Sequence, residues 1–267
     1  MLRRLVVLAA LVLPSSALAA YPTPYAQQGK PGVLSGDGTL RFVAYDAPGA
    51  TTTLATIRVS DGSRVTSSTI AGSFGIPMLT YNGVAGGLSH DGETLVLQSV
   101  GLPPTTQFKV VGTGDLAVRD TITLKGLFGY DALSPDAKTL YLIQRRSSRD
   151  VDHYVVRAYD LTTHALVPGR IADRTQKSWV MQGRATARAT TADGRWVYTL
   201  YQNPGGYPFV HALDTVKGVA HCIGLPWPAT DTNQLAINTM RLAIEGQKLR
   251  VGHYATIDRR TWRVERL

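Results

Sequence analysis

The sequence is poor in several residue types on which whole classes of protein depend. It has one cysteine in 267 residues, which excludes a disulfide scaffold and a zinc-ribbon protein. Its three glutamates are Glu93, Glu245 and Glu265, and none falls in a loop where we expect a ligand, so a glutamate-based glycosidase pair is not favoured. After the first twenty residues no apolar run is long enough to cross a membrane, so the mature chain has no predicted transmembrane segment.

Residues 1–19 have the pattern of a Sec-type signal peptide. Arg3 and Arg4 precede a short apolar run at positions 5–13, and Ala17-Leu18-Ala19 is a small-residue cleavage site. We therefore expect the protein to be exported to the periplasm, the cell envelope or the medium. Residues 20–31 are predicted to be a lead segment, and residues 32–267 a single domain.

Basic residues exceed acidic ones by 28 to 19, and the excess lies in the second half of the chain. Residues 21–134 carry 7 basic and 8 acidic side chains, whereas residues 135–267 carry 19 and 11. For an exported protein, this charge favours a protein partner or an anionic cell-envelope polymer. Nucleic acid is not favoured, because no nucleic-acid-binding module is present, and we expect a monomer.

A short turn motif recurs along the chain. Ser/Thr-x-Asp-Gly, or a close variant, is followed each time by alternating apolar residues, with the aspartates at positions 37, 91, 136 and 193. A degenerate fifth copy begins at Ile244. The aspartate side chain can accept hydrogen bonds from nearby backbone amides, and glycine accepts positive φ, so we assign Asp37, Asp91, Asp136 and Asp193 to turn chemistry.

A second signature follows the first in most repeats: a strand pattern, an aspartate-headed turn and another strand pattern, as in residues 154–167 and 209–220. One repeat is therefore four antiparallel strands, a to d, in about 50 residues. Such a sheet cannot bury both of its faces alone, and radial stacking buries them. The sequence predicts an all-β fold, a β-propeller of about five four-stranded antiparallel blades. A β-sandwich of irregular hairpins is the alternative.

The Ser134-Pro-Asp turn followed by Leu140-Tyr141, and the strand ending Tyr159-Asp-Leu-Thr-Thr163, resemble bacterial secreted YVTN and WD40-like propellers. The resemblance covers nearly all of the mature chain and implies a fold, since those propellers include envelope proteins, docking modules and some lactonases. The chain lacks the literal YVTN tetrapeptide and the Trp-Asp strand ends of WD40 repeats.

In a propeller, the b–c and d–a loops surround one end of the central channel and usually carry ligands. In this chain those loops are rich in Arg, Tyr, Trp and Asn, which suits an anionic or carbohydrate ligand. We predict an exported, non-enzymatic binding module that uses this face. The predicted binding residues are Arg145, Arg146, Arg149, Arg184, Arg188, Tyr201, Asn203, Tyr207 and Trp227. Solvated loops without a ligand are the alternative interpretation.

A hydrolase of the propeller lactonase type, acting at the end of the channel, is the alternative function. Its candidate catalytic residues are His153, Asp152, Arg188 and His253. Their spacing in the sequence does not show that they lie together. No cofactor or metal site is predicted. His211 and His221 could face each other across strands c and d of the fourth blade, where a packed pair is favoured over a metal site. Cys222 is predicted to pack in a strand of the core.

Overall fold

The computed structural model describes residues 26–29, 31–101, 104–150, 153–173, 175, 180–203, 206–228 and 234–267. The predicted signal peptide lies outside the described residues. Among the described residues no helix is long and apolar enough to span a bilayer.

The described residues form 22 strands and one short 3-10 helix, with bounds as follows in chain order. They are β1 (Ala26–Gln27), β2 (Val33–Leu34), β3 (Leu40–Ala47), β4 (Thr51–Arg58), β5 (Arg64–Ala71), β6 (Phe74–Pro77), β7 (Thr94–Ser99), β8 (Thr105–Gly112), β9 (Val118–Lys125), β10 (Phe128–Leu133), β11 (Thr139–Arg145), β12 (His153–Asp160), β13 (Ala165–Leu166), β14 (Met181–Gln182), β15 (Arg184–Thr190), β16 (Trp196–Gln202), β17 (Phe209–Asp214), β18 (Val219–Gly224), η1 (Leu235–Thr239), β19 (Leu242–Glu245), β20 (Lys248–Val251), β21 (Ala255–Asp258) and β22 (Val264–Arg266).

The strands form five sheets, each built from a continuous stretch of chain. Blades one to five consist of β2–β5, β6–β9, β10–β13, β15–β18 and β19–β22, and consecutive strands pair antiparallel within each blade. Two short strands add to this pattern. β1, which lies in the predicted lead segment, pairs with β6, and β14 pairs with β12 beside β13. The predicted set of five four-stranded blades is confirmed.

The repeated a–b turns have the predicted chemistry. In the first repeat the Ser35 hydroxyl donates to Asp37 at 2.6 Å, and the Thr39 amide donates to the same carboxylate oxygen at 3.0 Å. The hydroxyl bond is the main reason that the pKa of Asp37 falls to about 2. The corresponding Ser or Thr donates to Asp91, Asp136 and Asp193 in the other three repeats. The aspartates therefore hold turns closed.

Apolar side chains from facing sheets form a cluster between each pair of consecutive blades. Such burial is the main stabilising contribution for sheets that cannot fold alone. The four clusters include Leu54 with Leu95, Phe108 with Leu140, Tyr154 with Val197, and Leu200 with Leu249.

Among the described residues, no apolar cluster joins blade five to blade one. Arg250 lies between Leu249 and Val251, which pack towards blade four, so its side chain projects from the opposite face of the sheet. There Arg250 pairs with Glu245 at 3.0 Å and Lys248 pairs with Glu265 at 2.9 Å, and all four side chains are about half exposed. The fifth blade thus presents a polar face on the side away from blade four.

Each c–d turn places one residue at positive φ. The five residues are Gly62, Leu116, His164, Gly218 and Trp262, with φ between 53° and 71°. Where this residue is not glycine, its side chain reaches the preceding blade. Leu116 joins the cluster of blades one and two, His164 lies 3.0 Å from Asp120, and the Trp262 ring lies 5.3 Å from that of Trp196. At these three turns, the residue with the strained positive-φ backbone is therefore also the residue whose side chain contacts the preceding blade.

The inner strand of blade two is interrupted by a hairpin that enters the channel. Residues 78–86, here called the channel hairpin, are closed by the Met78–Ala85 bridge and by a hydrogen bond from the Leu79 amide to the Val84 carbonyl. The Tyr81 amide donates to the Ala185 carbonyl at 2.9 Å, which joins blade two to the inner strand of blade four. The hairpin thus crosses the channel.

Candidate functional site

The two ends of the blades carry different kinds of connection. The a–b and c–d turns form one end, and the b–c and d–a connections form the other, which we call the loop face. β11 ends at Arg145, β12 begins at His153 and β15 begins at Arg184, so these residues of blades three and four lie at the loop face.

Arg145 is the last residue of β11 and is 8% exposed, whereas the sequence placed it in the b–c loop. The reason is the length of β11, which pairs with β12 as far as Arg145–Tyr154. Arg145 lines a groove of about 370 Å³ with Gln144, Arg146, His153, Tyr154, Val155 and Val180. We call this the arginine groove. Among the described lining residues there is no carboxylate.

Below the groove, Arg145 and Tyr154 also line a smaller cavity of about 30 Å³, here called the inner cavity. Tyr201 and Asp131 lie on its wall, and the Tyr154 and Tyr201 rings are 6.0 Å apart. The Tyr154 hydroxyl is buried and interacts with Tyr201. Burial raises the pKa of Tyr154 well above its usual range, and its protonated hydroxyl can donate a hydrogen bond.

Arg188 forms a buried ion pair in the wall of the channel. Its Nη1 lies 2.8 Å from the Asp131 carboxylate, and its Nη2 donates to the Asp131 carbonyl at 2.5 Å. The two side chains are 7% and 4% exposed. Because Arg188 is on β15 and Asp131 is on β10, the pair joins blades three and four, and Arg188 takes part in interior packing as well as lining the channel.

Four other predicted binding residues also contact the protein itself. Arg184 lies over the Tyr81 ring at 5.5 Å, and Tyr201 stacks on Phe209 at 4.9 Å. The backbone N–H of Asn203 donates to the side-chain oxygen of Gln234 at 2.7 Å. Trp227 is buried, and its ring lies 5.0 Å from that of Tyr254. Asn203 and Trp227 therefore help to hold the d–a loop before blade five.

Three predicted binding residues point outward from the loop face. Arg149 is exposed, Tyr207 is 55% exposed, and the Arg146 side chain is 77% exposed with Asp150 at 3.7 Å. Of the predicted residues, Arg145 and Arg146 meet in the arginine groove. Arg149 and Tyr207 do not line it.

The candidate catalytic residues do not line a common cavity within the described part of the chain. His153 hydrogen-bonds to Asp150 at 2.6 Å, which lowers the pKa of Asp150 and keeps it ionised. Arg188 is paired with Asp131, and His253 is exposed on blade five. Asp152 lies outside the described residues. No three His, Cys, Asp or Glu residues of the described chain are grouped so that they could hold a metal ion.

The expected pairing of His211 with His221 is wrong. In the register of β17 and β18, His211 lies opposite Cys222, and His221 lies opposite Ala212. Directly opposed residues share a sheet face, so the two histidines project to opposite faces. His211 is buried, with its Nδ1 3.6 Å from the Cys222 sulfur. Burial raises the pKa of the half-buried Cys222 thiol to about 12.

Sequence reasoning missed Asp131, Tyr154 and the channel hairpin. Asp131 could have been identified from the sequence, because it is a charged residue inside the otherwise uncharged strand Phe128–Leu133. A charge in such a strand indicates an ion partner, here Arg188. The sequence does not distinguish Tyr154 from the other aromatic residues of the core. Nothing in the repeat pattern predicted that residues 78–86 would leave the sheet.

Similarity to known proteins lies in the fold. No protein-family model and no curated protein sequence matches the chain. Hydrazine synthase from Kuenenia stuttgartiensis is 18% identical, with a TM-score of 0.51 over 84% of this chain and 63% of that chain. TolB from Acinetobacter baumannii is 13% identical, with a TM-score of 0.46 over 85% of this chain and 50% of that chain. The chain therefore spans between half and two thirds of these two structures.

A third similar structure is described by its name as a β-propeller domain. The Myceliophteria thermophila Cps50 (Swd1) beta-propeller domain is 12% identical, with a TM-score of 0.50 over 87% of this chain and 68% of that chain. The fold is a β-propeller. The predicted β-propeller architecture is thus confirmed.

Proposed function

We propose that this propeller is a non-enzymatic binding module whose loop face holds an acidic partner in the arginine groove. The observation that carries the proposal is the groove itself. Arg145 and Arg146 line a space of about 370 Å³ without a carboxylate among its described lining residues, and Asp150 contacts Arg146 at 3.7 Å and His153 at 2.6 Å beside it. A concave basic surface of this kind attracts anions and focuses their field.

The groove suits a side chain that enters end-on. Arg145 is buried at the base, and the buried Tyr154 side chain lies beside it. A carboxylate at this position would pair with the Arg145 guanidinium and accept a hydrogen bond from Tyr154.

The rim of the groove favours a protein segment over a sugar polymer. Val155 and Val180 lie beside the basic residues, and Val180 is 40% exposed. An acidic residue on a peptide segment with apolar groups beside it would match both features, whereas an anionic sugar polymer would match the charge alone. We therefore propose an acidic segment of a protein partner, with an anionic envelope polymer as the alternative outcome of the test.

We also propose that the protein is exported. The apolar run at positions 5–13 and the small residues at 17–19 support cleavage by a signal peptidase. Mass spectrometry of the protein secreted or exported by its own cells would give the mature N-terminus. We expect it at residue 20 or 21, and an intact chain beginning at Met1 would contradict export by this route.

The binding proposal is tested with two polyanions and two variants. Fluorescence anisotropy would compare polyglutamate with heparin, and Arg146→Gln with Arg260→Gln. Arg146 lines the groove, while Arg260 is an exposed arginine in the c–d turn of blade five, at the opposite end of the propeller. We expect Arg146→Gln to weaken polyglutamate binding up to about fivefold, the range for an exposed ion pair.

The control decides whether the effect is local. Arg260→Gln removes the same charge and should leave polyglutamate affinity unchanged. Equal losses in both variants would show that net charge alone drives binding and would overturn the groove. Tighter binding of heparin with the same dependence on Arg146 would favour the envelope polymer over the protein segment.

A further inference from the structure

A second pocket lies on the other side of the channel hairpin. The hairpin tip, with Asn82 and Val84, forms one wall, and Thr186 and Arg188 of blade four form another. Met240 and Arg241, at the start of blade five, complete an open space of about 360 Å³, here called the hairpin pocket. Its lining is distinct from that of the arginine groove. Its size falls in the range of small-molecule sites.

The charge of the hairpin pocket is positive and is not balanced within it. The described lining includes Arg188 and Arg241 and has no carboxylate. Asp131 already pairs with Arg188 from the other side. Arg241 is exposed, and within the described chain its side chain makes no hydrogen bond or ion pair. One positive charge therefore stands at the edge of the pocket without a counter-charge, which favours an anionic ligand.

A second polar group is oriented for donation. The Thr80 hydroxyl donates to Asn82 Oδ1 at 2.5 Å, which assigns the oxygen of that amide and leaves its NH₂ group to project as a donor. Asn82 is exposed at the hairpin tip. A carboxylate between Arg241 and Asn82 could therefore accept hydrogen bonds from both side chains.

The rest of the lining is apolar. Met240 and Leu242 are buried, at 4% and 9% exposure, and Val84 is 40% exposed on the facing wall. An inorganic anion would leave the exposed surface of Val84 in water, whereas a compact apolar group would cover it and contact Met240. Methionine also adapts its shape to varied ligands.

We propose that the hairpin pocket binds a small organic anion, a carboxylate with a compact apolar body. The carboxylate pairs with Arg241 and accepts a hydrogen bond from Asn82, and the apolar body lies against Met240 and Val84. The site is independent of the proposed partner surface, because the two pockets have no described lining residue in common.

The methionines allow a direct test by NMR of methyl-¹³C-methionine protein. Met240 lines the hairpin pocket and Met78 lines the inner cavity, so one spectrum reports on both places. The probes are benzoate, its neutral isostere benzamide, and inorganic phosphate. We expect benzoate to shift the Met240 methyl resonance in a saturable way and to leave Met78 unchanged. Arg241→Gln should weaken this binding up to about fivefold, the range for an exposed ion pair.

Arg260→Gln is the matched control, because Arg260 is an exposed arginine of the same blade that does not line the pocket. Its benzoate affinity should equal that of the unmodified protein. No Met240 shift with benzoate, an equal shift with benzamide, or a shift with phosphate of the same affinity would each overturn the proposal. These results do not depend on polyglutamate binding, so failure here and failure of the arginine groove are distinguishable.

Discussion

His211 is buried in β17 on the sheet face that packs against blade three, and it is 2% exposed. Burial lowers the pKa of His211 to about 4. The unfolded chain takes up this proton near pH 6.5, and the folded protein takes it up only near pH 4. Stability is therefore complete above pH 6.5 and falls as the pH is lowered to 4, by about 3 kcal/mol for this group.

The variant His211→Leu separates this contribution from that of the aspartates. Urea unfolding of both proteins at pH 7 and pH 4.5 would give the two free-energy differences. We expect the loss of stability on acidification to be smaller in the variant, because leucine has no proton to bind. An equal loss in both proteins would show that His211 is not the buried group responsible.

The Arg188–Asp131 pair predicts a strong coupling between two single residues. Replacing Arg188 by Met leaves the Asp131 carboxylate buried without its cation, which should cost about 3–5 kcal/mol of unfolding free energy. Adding Asp131→Leu should restore much of that loss, because an apolar pair carries no uncompensated charge. Chemical denaturation of the single and double variants measures the coupling, and additive losses would argue against the pair.

At the scale of the turn, the repeats can be compared with one another. Ala137 has φ of 53°, and at the matching position of the first repeat Gly38 has φ of 72°. A Cβ at Gly38 would meet nothing within 4 Å, so its only cost would be backbone strain. Gly38→Ala should therefore destabilise the protein by about 1 kcal/mol.

The reverse substitution, Ala137→Gly, should cost less than Gly38→Ala or be stabilising. Relief of strain opposes the added freedom of glycine in the unfolded chain. Thermal unfolding of the two variants, made in the same background, gives the comparison. A larger loss for Ala137→Gly would mean that side-chain contacts, not φ, govern these turns.

At the scale of the whole molecule, the five blades are not equivalent. Blades two, three and four each share an apolar cluster with both neighbours, whereas among the described residues blades one and five share one each. Local opening is easier where fewer apolar contacts must break.

Hydrogen exchange followed by mass spectrometry should therefore show slower exchange in β11 and β16 than in β20 and β4. None of these four strands lies at an edge of its sheet, so sheet position alone does not explain the expected order. Uniform protection in all five blades would indicate that the stack unfolds as one cooperative unit. Fast exchange confined to blade three would contradict the packing argument.

The sequence alone determined the blade architecture of this protein. The Ser/Thr-x-Asp turns and the alternating strands are local features, and each depends on residues within a few positions of one another, as Ser35 and Asp37 do. Repetition of that local pattern was enough to predict five four-stranded sheets. The predicted signal peptide, which is also a local pattern, awaits its own test.

Only the tertiary structure decided which side chains meet. Arg188 and Asp131 are 57 positions apart, and the Tyr81 amide reaches Ala185 across the channel. A repeat pattern carries no information about such pairs, because it describes each blade and not the contacts between blades. The same reason explains why Trp227 and Asn203, which look like ligand contacts in sequence, hold a loop in place, and why Arg145 lies at the base of a groove.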